Sequence, residues 1–178
     1  MSKKRGALLV LIGLILAAAG ILGLQIYLGE RDTAGITSAA GPGKAFPSQG
    51  NRHLRPGEPP GVKYNSNPPT SGPHVPEEVK TDAATLNDNQ LLQALELGNV
   101  VLAYPQRTAP RALRALARDI AGPFDRALVD SGQAVILARR PGLRSITAIY
   151  SRHLLPAALP NDPALGDFAR YWLDHGPG

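Results

Sequence analysis

Twenty-two consecutive residues near the start of the chain, Ala7 to Leu28, carry no charge, and Gln25 is their one polar side chain apart from the Tyr27 phenol. A helix rising about 1.5 Å per residue covers about 33 Å over that length, enough for a hydrocarbon core of about 30 Å. Lys3, Lys4 and Arg5 precede the run, and Glu30, Arg31 and Asp32 follow it. The excess of basic residues on the N-terminal side, three against one, predicts a cytoplasmic N-terminus and a cell-membrane protein whose remaining chain is periplasmic or extracellular. Tyr27 stands at the position of an interfacial aromatic. The competing reading is a cleaved signal peptide, with Leu8 to Leu16 as its apolar region and Ala17-Ala18-Ala19 as its cleavage site. Gly20 to Leu28 stay apolar where a mature N-terminus turns polar, which favours a retained single-pass signal anchor. Gly6, Gly13 and Gly20 recur every seven residues, and Ala17 follows Gly13 by four, so Gly13, Ala17 and Gly20 form a candidate seam for another protein's transmembrane helix or a second copy of this one.

The expected organisation is a cytoplasmic tip over 1–6, the membrane helix over 7–28, a linker over 29–50 and one extracytoplasmic domain over 51–178. The linker reading rests on Thr33 to Gly50, a stretch rich in Gly, Ala, Ser and Pro and poor in large apolar residues. The formal net charge is +5, but with Lys3, Lys4 and Arg5 set aside, 16 basic residues face 14 acidic ones. With aromatics at 5%, that balance argues against nucleic acid as a partner. The chain has no cysteine, which excludes disulfides, thiolate metal sites and a cysteine nucleophile.

Seven prolines between positions 51 and 80 rule out a helix or a central strand there. Beyond them, Leu91, Leu92 and Leu95 mark a helix over 88–97 stopped by Gly98, and 99–104 reads as a buried strand closed by Pro105. Thr108 and Pro110 suggest the start of a helix over 111–120, with Leu113, Leu116, Ala117 and Ile120 buried. Strands are expected over 133–138 and 145–150, with Arg139-Arg140-Pro141-Gly142 turning the chain back between them. Asp162-Pro163 opens a last helix packed through Phe168, Tyr171 and Trp172 and ended by Gly176. Together these predict an α+β fold: a small domain with a mainly antiparallel sheet and flanking helices.

Residues Tyr64 to His74 read YNSNPPTSGPH. With His53 upstream and the terminal His175-Gly176-Pro177-Gly178, this loop resembles the signature of a bacterial family called domain of unknown function 3105. The resemblance implies a histidine-based metal site, for which copper or zinc is the natural cofactor in an exported protein. Where relatives would read HxLEHG, however, this chain has Gln93-Ala94-Leu95-Glu96-Leu97-Gly98, so two expected histidines are replaced. His53, His74 and His175 remain as candidate ligands, with Glu96. The loop also has a purely structural reading: Pro68, Pro69 and Pro73 stiffen it, while Asn65, Asn67, Thr70 and Ser71 serve backbone groups. A hydrolase using Ser71 and His74 is disfavoured, since no strand precedes Ser71 to form a nucleophile elbow.

Arg107, Arg111, Arg114 and Arg118 are spaced four, three and four apart, which predicts a basic helix face opposite the apolar stripe. Such a face suits solvent, anionic membrane lipid or an acidic protein surface. Without a complete catalytic constellation, the sequence favours a non-enzymatic accessory or scaffold protein, with no cofactor, acting as a subunit of a larger membrane complex such as an energy-transducing one. A copper- or zinc-binding domain is the alternative.

Overall fold

The computed structural model describes residues 41–176. The expected spanning segment, its seam of Gly13, Ala17 and Gly20, and the linker up to position 40 lie outside the described residues. Among the described residues no helix is long and apolar enough to cross a membrane.

The domain is α+β, a six-stranded mixed sheet with helices on both faces. In chain order the elements are β1 (Lys44–Ala45), β2 (Ala84–Thr85), α1 (Asp88–Glu96), β3 (Val100–Tyr104), α2 (Arg111–Ala121), α3 (Arg126–Asp130), β4 (Val135–Arg139), β5 (Ile146–Tyr150), β6 (His153–Ala157) and α4 (Pro163–His175). The strand order is β1-β6-β5-β3-β4-β2. Apolar side chains run unbroken along β3 because both its faces are covered. Val100, Leu102 and Tyr104 face one core with Leu113 of α2 and Leu165, Phe168 and Trp172 of α4. Val101 and Ala103 face a second core with Leu91, Ala94 and Leu95 of α1 and Val129 of α3.

The sheet is mixed rather than antiparallel throughout, with three antiparallel pairings and two parallel ones. β3 pairs with β4, and β4 with β2, in parallel, while β5 pairs antiparallel to β3 and β6, and β1 antiparallel to β6. The crossover through α2 forces the parallel pairing, since a chain that leaves a strand, crosses a face as a helix and returns must run the same way. Nor do Arg139 to Gly142 close a hairpin. Arg140 donates its backbone N–H to Tyr104 O at 2.9 Å, carrying the chain across the end of β3 so that β5 adds to the other edge.

Four elements had no readable pattern. β1 and β2 have two residues each. α3 has five, begun by Asp125, whose carboxylate accepts from Ala127 N. β6 contains Pro156, opposite Thr147 of β5. β1 covers only His153 and Leu154 on the outer side, so Pro156 stands on free edge where a missing N–H is tolerated. The helix starts also differ in one case: Pro110, not Thr108, occupies the N-cap of α2, and no side chain caps it.

Residues 41–50, expected as linker, belong to the folded domain. Trp172 Nε1 donates to Pro42 O at 3.1 Å, β1 pairs with β6, and Phe46 packs against the second core. A Cβ on Gly41, at φ +94°, would fall 2.4 Å from Tyr171 and 2.7 Å from Trp172. Gly43 is held in the same way, a Cβ there falling 2.7 Å from the Phe168 ring, so the small residues of this stretch answer to the aromatic rings they pack against.

Tyr150 stacks on Trp172 at 4.7 Å, and its hydroxyl is buried without a partner among the described residues. Burial pushes its phenol up to about 12. The unfolded chain ionises this group from about pH 10, so its contribution is intact below that pH and is lost as the pH rises toward 12. The melting temperature should therefore drop between pH 10 and 12, and Tyr150→Phe should drop less across that window. Burial also raises Tyr64 and Tyr104, so part of the fall will survive in the variant. Identical falls in thermal melts at pH 9 and 11 would remove Tyr150 from the account.

Candidate metal centre

Three backbone hydrogen bonds run the segment after Gly50 alongside the PPTSGPH loop: Gly72 N to Gly50 O at 2.7 Å, His74 N to Arg52 O at 3.1 Å and Leu54 N to His74 O at 2.8 Å. The result is a parallel bridge between His53 and His74, which stands the two imidazoles edge to face with centroids 5.4 Å apart. Val75 N donates to Asn89 Oδ1 at 3.0 Å and fixes the loop to α1. Glu96, the last residue of α1, thereby meets both rings: its Oε2 lies 2.9 Å from His53 Nε2 and 3.2 Å from His74 Nε2. Asn51 donates its Nδ2 to Glu96 Oε1 at 2.9 Å and orients the carboxylate. One ligand atom from each of His53, His74 and Glu96 falls within 4.8 Å of the others. The helix C-terminus adds its partial negative charge, which favours a cation there.

The loop sets the tautomer of His74. Its Nδ1 lies 3.1 Å from Gly72 O, and a carbonyl only accepts, so Nδ1 carries the proton. That leaves Nε2, buried 3.2 Å from Glu96 Oε2 and aligned for no hydrogen bond. A ring nitrogen facing a carboxylate calls for a positive charge, which either a proton on Nε2 or a metal ion between the two groups supplies. Gly72 is required for this arrangement, because at φ +134° a Cβ would sit 2.7 Å from the Tyr64 ring. Tyr64 in turn holds the loop by donating its hydroxyl to Pro73 O at 2.7 Å.

A tetrahedral ion with bonds of about 2.0–2.1 Å places its ligand atoms about 3.3 Å apart. The two observed imidazole-to-carboxylate distances lie close to that, and a backbone carbonyl on the far ring nitrogen is the usual support for a ligating histidine. Side-chain exposure falls from 52% at His53 to 24% at Glu96 and 1% at His74, so the site is dry on one side and open on the other. His74 and Glu96, but not His53, also line a cleft of about 280 Å³.

The fourth sequence candidate does not join. His175 ends α4, where its Nδ1 bonds Tyr171 O at 2.7 Å and its ring stacks on Tyr171 at 4.0 Å. The two replaced positions sit elsewhere as well: Gln93 and Leu97 line a separate hollow with Pro76, Val79 and Val129, not the cleft that Glu96 lines. Among the described residues Ser71 and His74 share no hydrogen bond, since Ser71 Oγ accepts from Gln49 N at 3.0 Å. His153 was not singled out, and nothing in its surroundings in the sequence marks it. It is buried against Trp172 at 4.2 Å with Nδ1 on Ser151 O, and burial pushes its imidazole down. Asn51 was missed although a signal existed, since residues 51 and 53 lie on one side of an extended segment.

Arg111, Arg114 and Arg118 are exposed on α2, and Arg107 lies in the loop before it, so three of the four share the helix. No carboxylate among the described residues pairs with any of them, while the neighbouring Asp119 pairs with Arg170 at 3.0 Å.

The family described as "Protein of unknown function (DUF3105)" matches residues 58–177. The chain belongs to this family. The match takes in the PPTSGPH loop, Glu96 and His175, but it starts beyond His53, so the likeness expected from His53 onward is shown from Glu58. No curated protein and no solved structure matches the chain.

Proposed function

We propose that the domain binds one divalent metal ion, zinc or copper, through His53, His74 and Glu96, on the outer side of a membrane to which residues 7–28 anchor it. The observation that carries this reading is the buried Nε2 of His74, unpartnered and turned toward a carboxylate while Nδ1 is committed to Gly72 O. Because Gln93 and Leu97 line a different hollow, the replacement of histidines at those positions does not remove a ligand from this cluster. Two imidazoles and a carboxylate, in a chain without cysteine and with Met1 as its one methionine, suit Zn(II) or Cu(II) better than Cu(I). Three protein ligands leave a coordination position for exchange, as a delivery site needs. The test is metal content: the full-length protein purified in detergent should hold one zinc or copper per chain. Glu96→Gln, which keeps the shape and removes the charge, should lower affinity at least tenfold. Undiminished affinity in that variant would place the metal elsewhere.

A second reading, the accessory subunit that the sequence alone ranks first, is favoured by the unpaired exposed guanidiniums of Arg111, Arg114 and Arg118. They suit an acidic protein surface or anionic lipid headgroups. The two readings are compatible, since the arginine face and the metal cluster occupy different elements.

A further inference from the structure

We propose that the cleft beside His74 and Glu96 takes a small oxyanion, a carboxylate or a phosphate-type group, that fills the metal's remaining position; the proposal rests on the metal-binding reading above. The cleft has a surplus of donors. Glu96 is the one carboxylate in its lining, and both its oxygens are already engaged, Oε1 by Asn51 and Oε2 by His53. Ser48 Oγ accepts from Gly50 N at 3.1 Å and Ser71 Oγ from Gln49 N at 3.0 Å, which leaves each hydroxyl proton to donate; no described residue receives it. Arg152 also lines the cleft, and its guanidinium makes no hydrogen bond or ion pair with any described residue. This arginine occupies the two-residue turn between β5 and β6 at φ +62°, a conformation that glycine or asparagine adopts more readily. Its backbone is held by Thr70 O and Phe46 N, so the turn fixes where the side chain starts. A forked cation, two free hydroxyl donors and a bound metal together recognise an oxyanion. The volume of about 280 Å³ is at the small end of ligand sites, and Leu92 and Leu95 supply an apolar wall for a short carbon chain.

The test uses cobalt(II), whose visible spectrum reports its coordination, in place of zinc in the full-length protein. Acetate and inorganic phosphate are titrated separately, and the one that changes the cobalt band identifies the class. Arg152→Asn keeps a residue that accepts a positive φ and removes the guanidinium. It should weaken the anion response at least tenfold with cobalt affinity unchanged. A cobalt-loaded protein that responds to neither anion overturns the proposal and leaves the metal site standing. An Arg152→Asn protein that responds like the native one also overturns it, as does one that loses cobalt and anion affinity by the same factor. Failure to take up cobalt removes both the metal site and the anion.

Discussion

Saturating zinc should raise the melting temperature of the full-length protein by roughly 10 °C, and His74→Ala should abolish that rise. A ligand that binds only the folded state stabilises it by about 4 kcal/mol at a thousand times its dissociation constant. For a domain of this size each kcal/mol moves the midpoint by roughly 2–8 °C. The quantity to read is the difference between melts with and without zinc, because His74 is buried and its loss will lower the metal-free midpoint too. His53→Ala guards against that complication: His53 is half exposed, so the metal-free fold should hardly change while the zinc-dependent rise shrinks severely. His175→Ala separates the observed three-residue cluster from the four-residue set suggested by the sequence. Its rise should equal that of the native protein, since His175 is bound to its own helix. An undiminished rise in both His53→Ala and His74→Ala would show that zinc acts through some other site.

Gly132→Ala should destabilise the domain by about 3 kcal/mol or more, a fall of roughly 10 °C in thermal melts of the metal-free protein. Gly132 sits at φ +73°, where an added methyl group would stand 1.9 Å from the Leu97 carbonyl oxygen and 2.9 Å from its carbon. Both obstacles are backbone, so no side chain can swing away. Asn99 makes the surrounding backbone harder to move. Its buried amide donates to Ala94 O at 3.1 Å and Val129 O at 2.9 Å and accepts from Ala134 N at 3.0 Å, clamping the ends of α1 and α3 to the start of β4. Glu96 lies inside that clamp, so the strain should reach the metal cluster and weaken zinc binding in the same variant. By contrast, Gly142→Ala, at φ +96° with open space around it, tests the conformational cost alone and should lose less. Equal losses at the two positions would show that the contact with Leu97 is readily relieved.

The helices were legible where a local signal matched the tertiary demand. Leu91, Leu92 and Leu95 before Gly98 marked α1, and Asp162 with Pro163 opened α4, whereas the five residues of α3 were too few to show a period. The buried strands β3, β4 and β5 announced themselves as apolar runs between breakers. Pairing did not, because β5 lies beside β3 only through a connection that crosses the end of that strand, and no residue within β5 encodes which edge it joins. β6 was hidden by Pro156, whose place on a free edge is a property of the assembled sheet.

For the candidate site the division is similar. Residue chemistry, the PPTSGPH loop and the family to which the chain belongs follow from the order of amino acids alone, and they suffice to nominate His53, His74, Glu96 and His175. Which of these meet was decided by backbone bonds between segments far apart in sequence: the parallel bridge that sets His53 beside His74, and the Asn89 contact that ties the loop to α1. His175 instead stays on Tyr171, one turn earlier in its own helix, and Glu96 and Gln93 lie in the walls of different hollows. Side-chain type is local information, whereas ligand convergence depends on distances between segments, and those distances exist only once the sheet, the loop and α1 have packed.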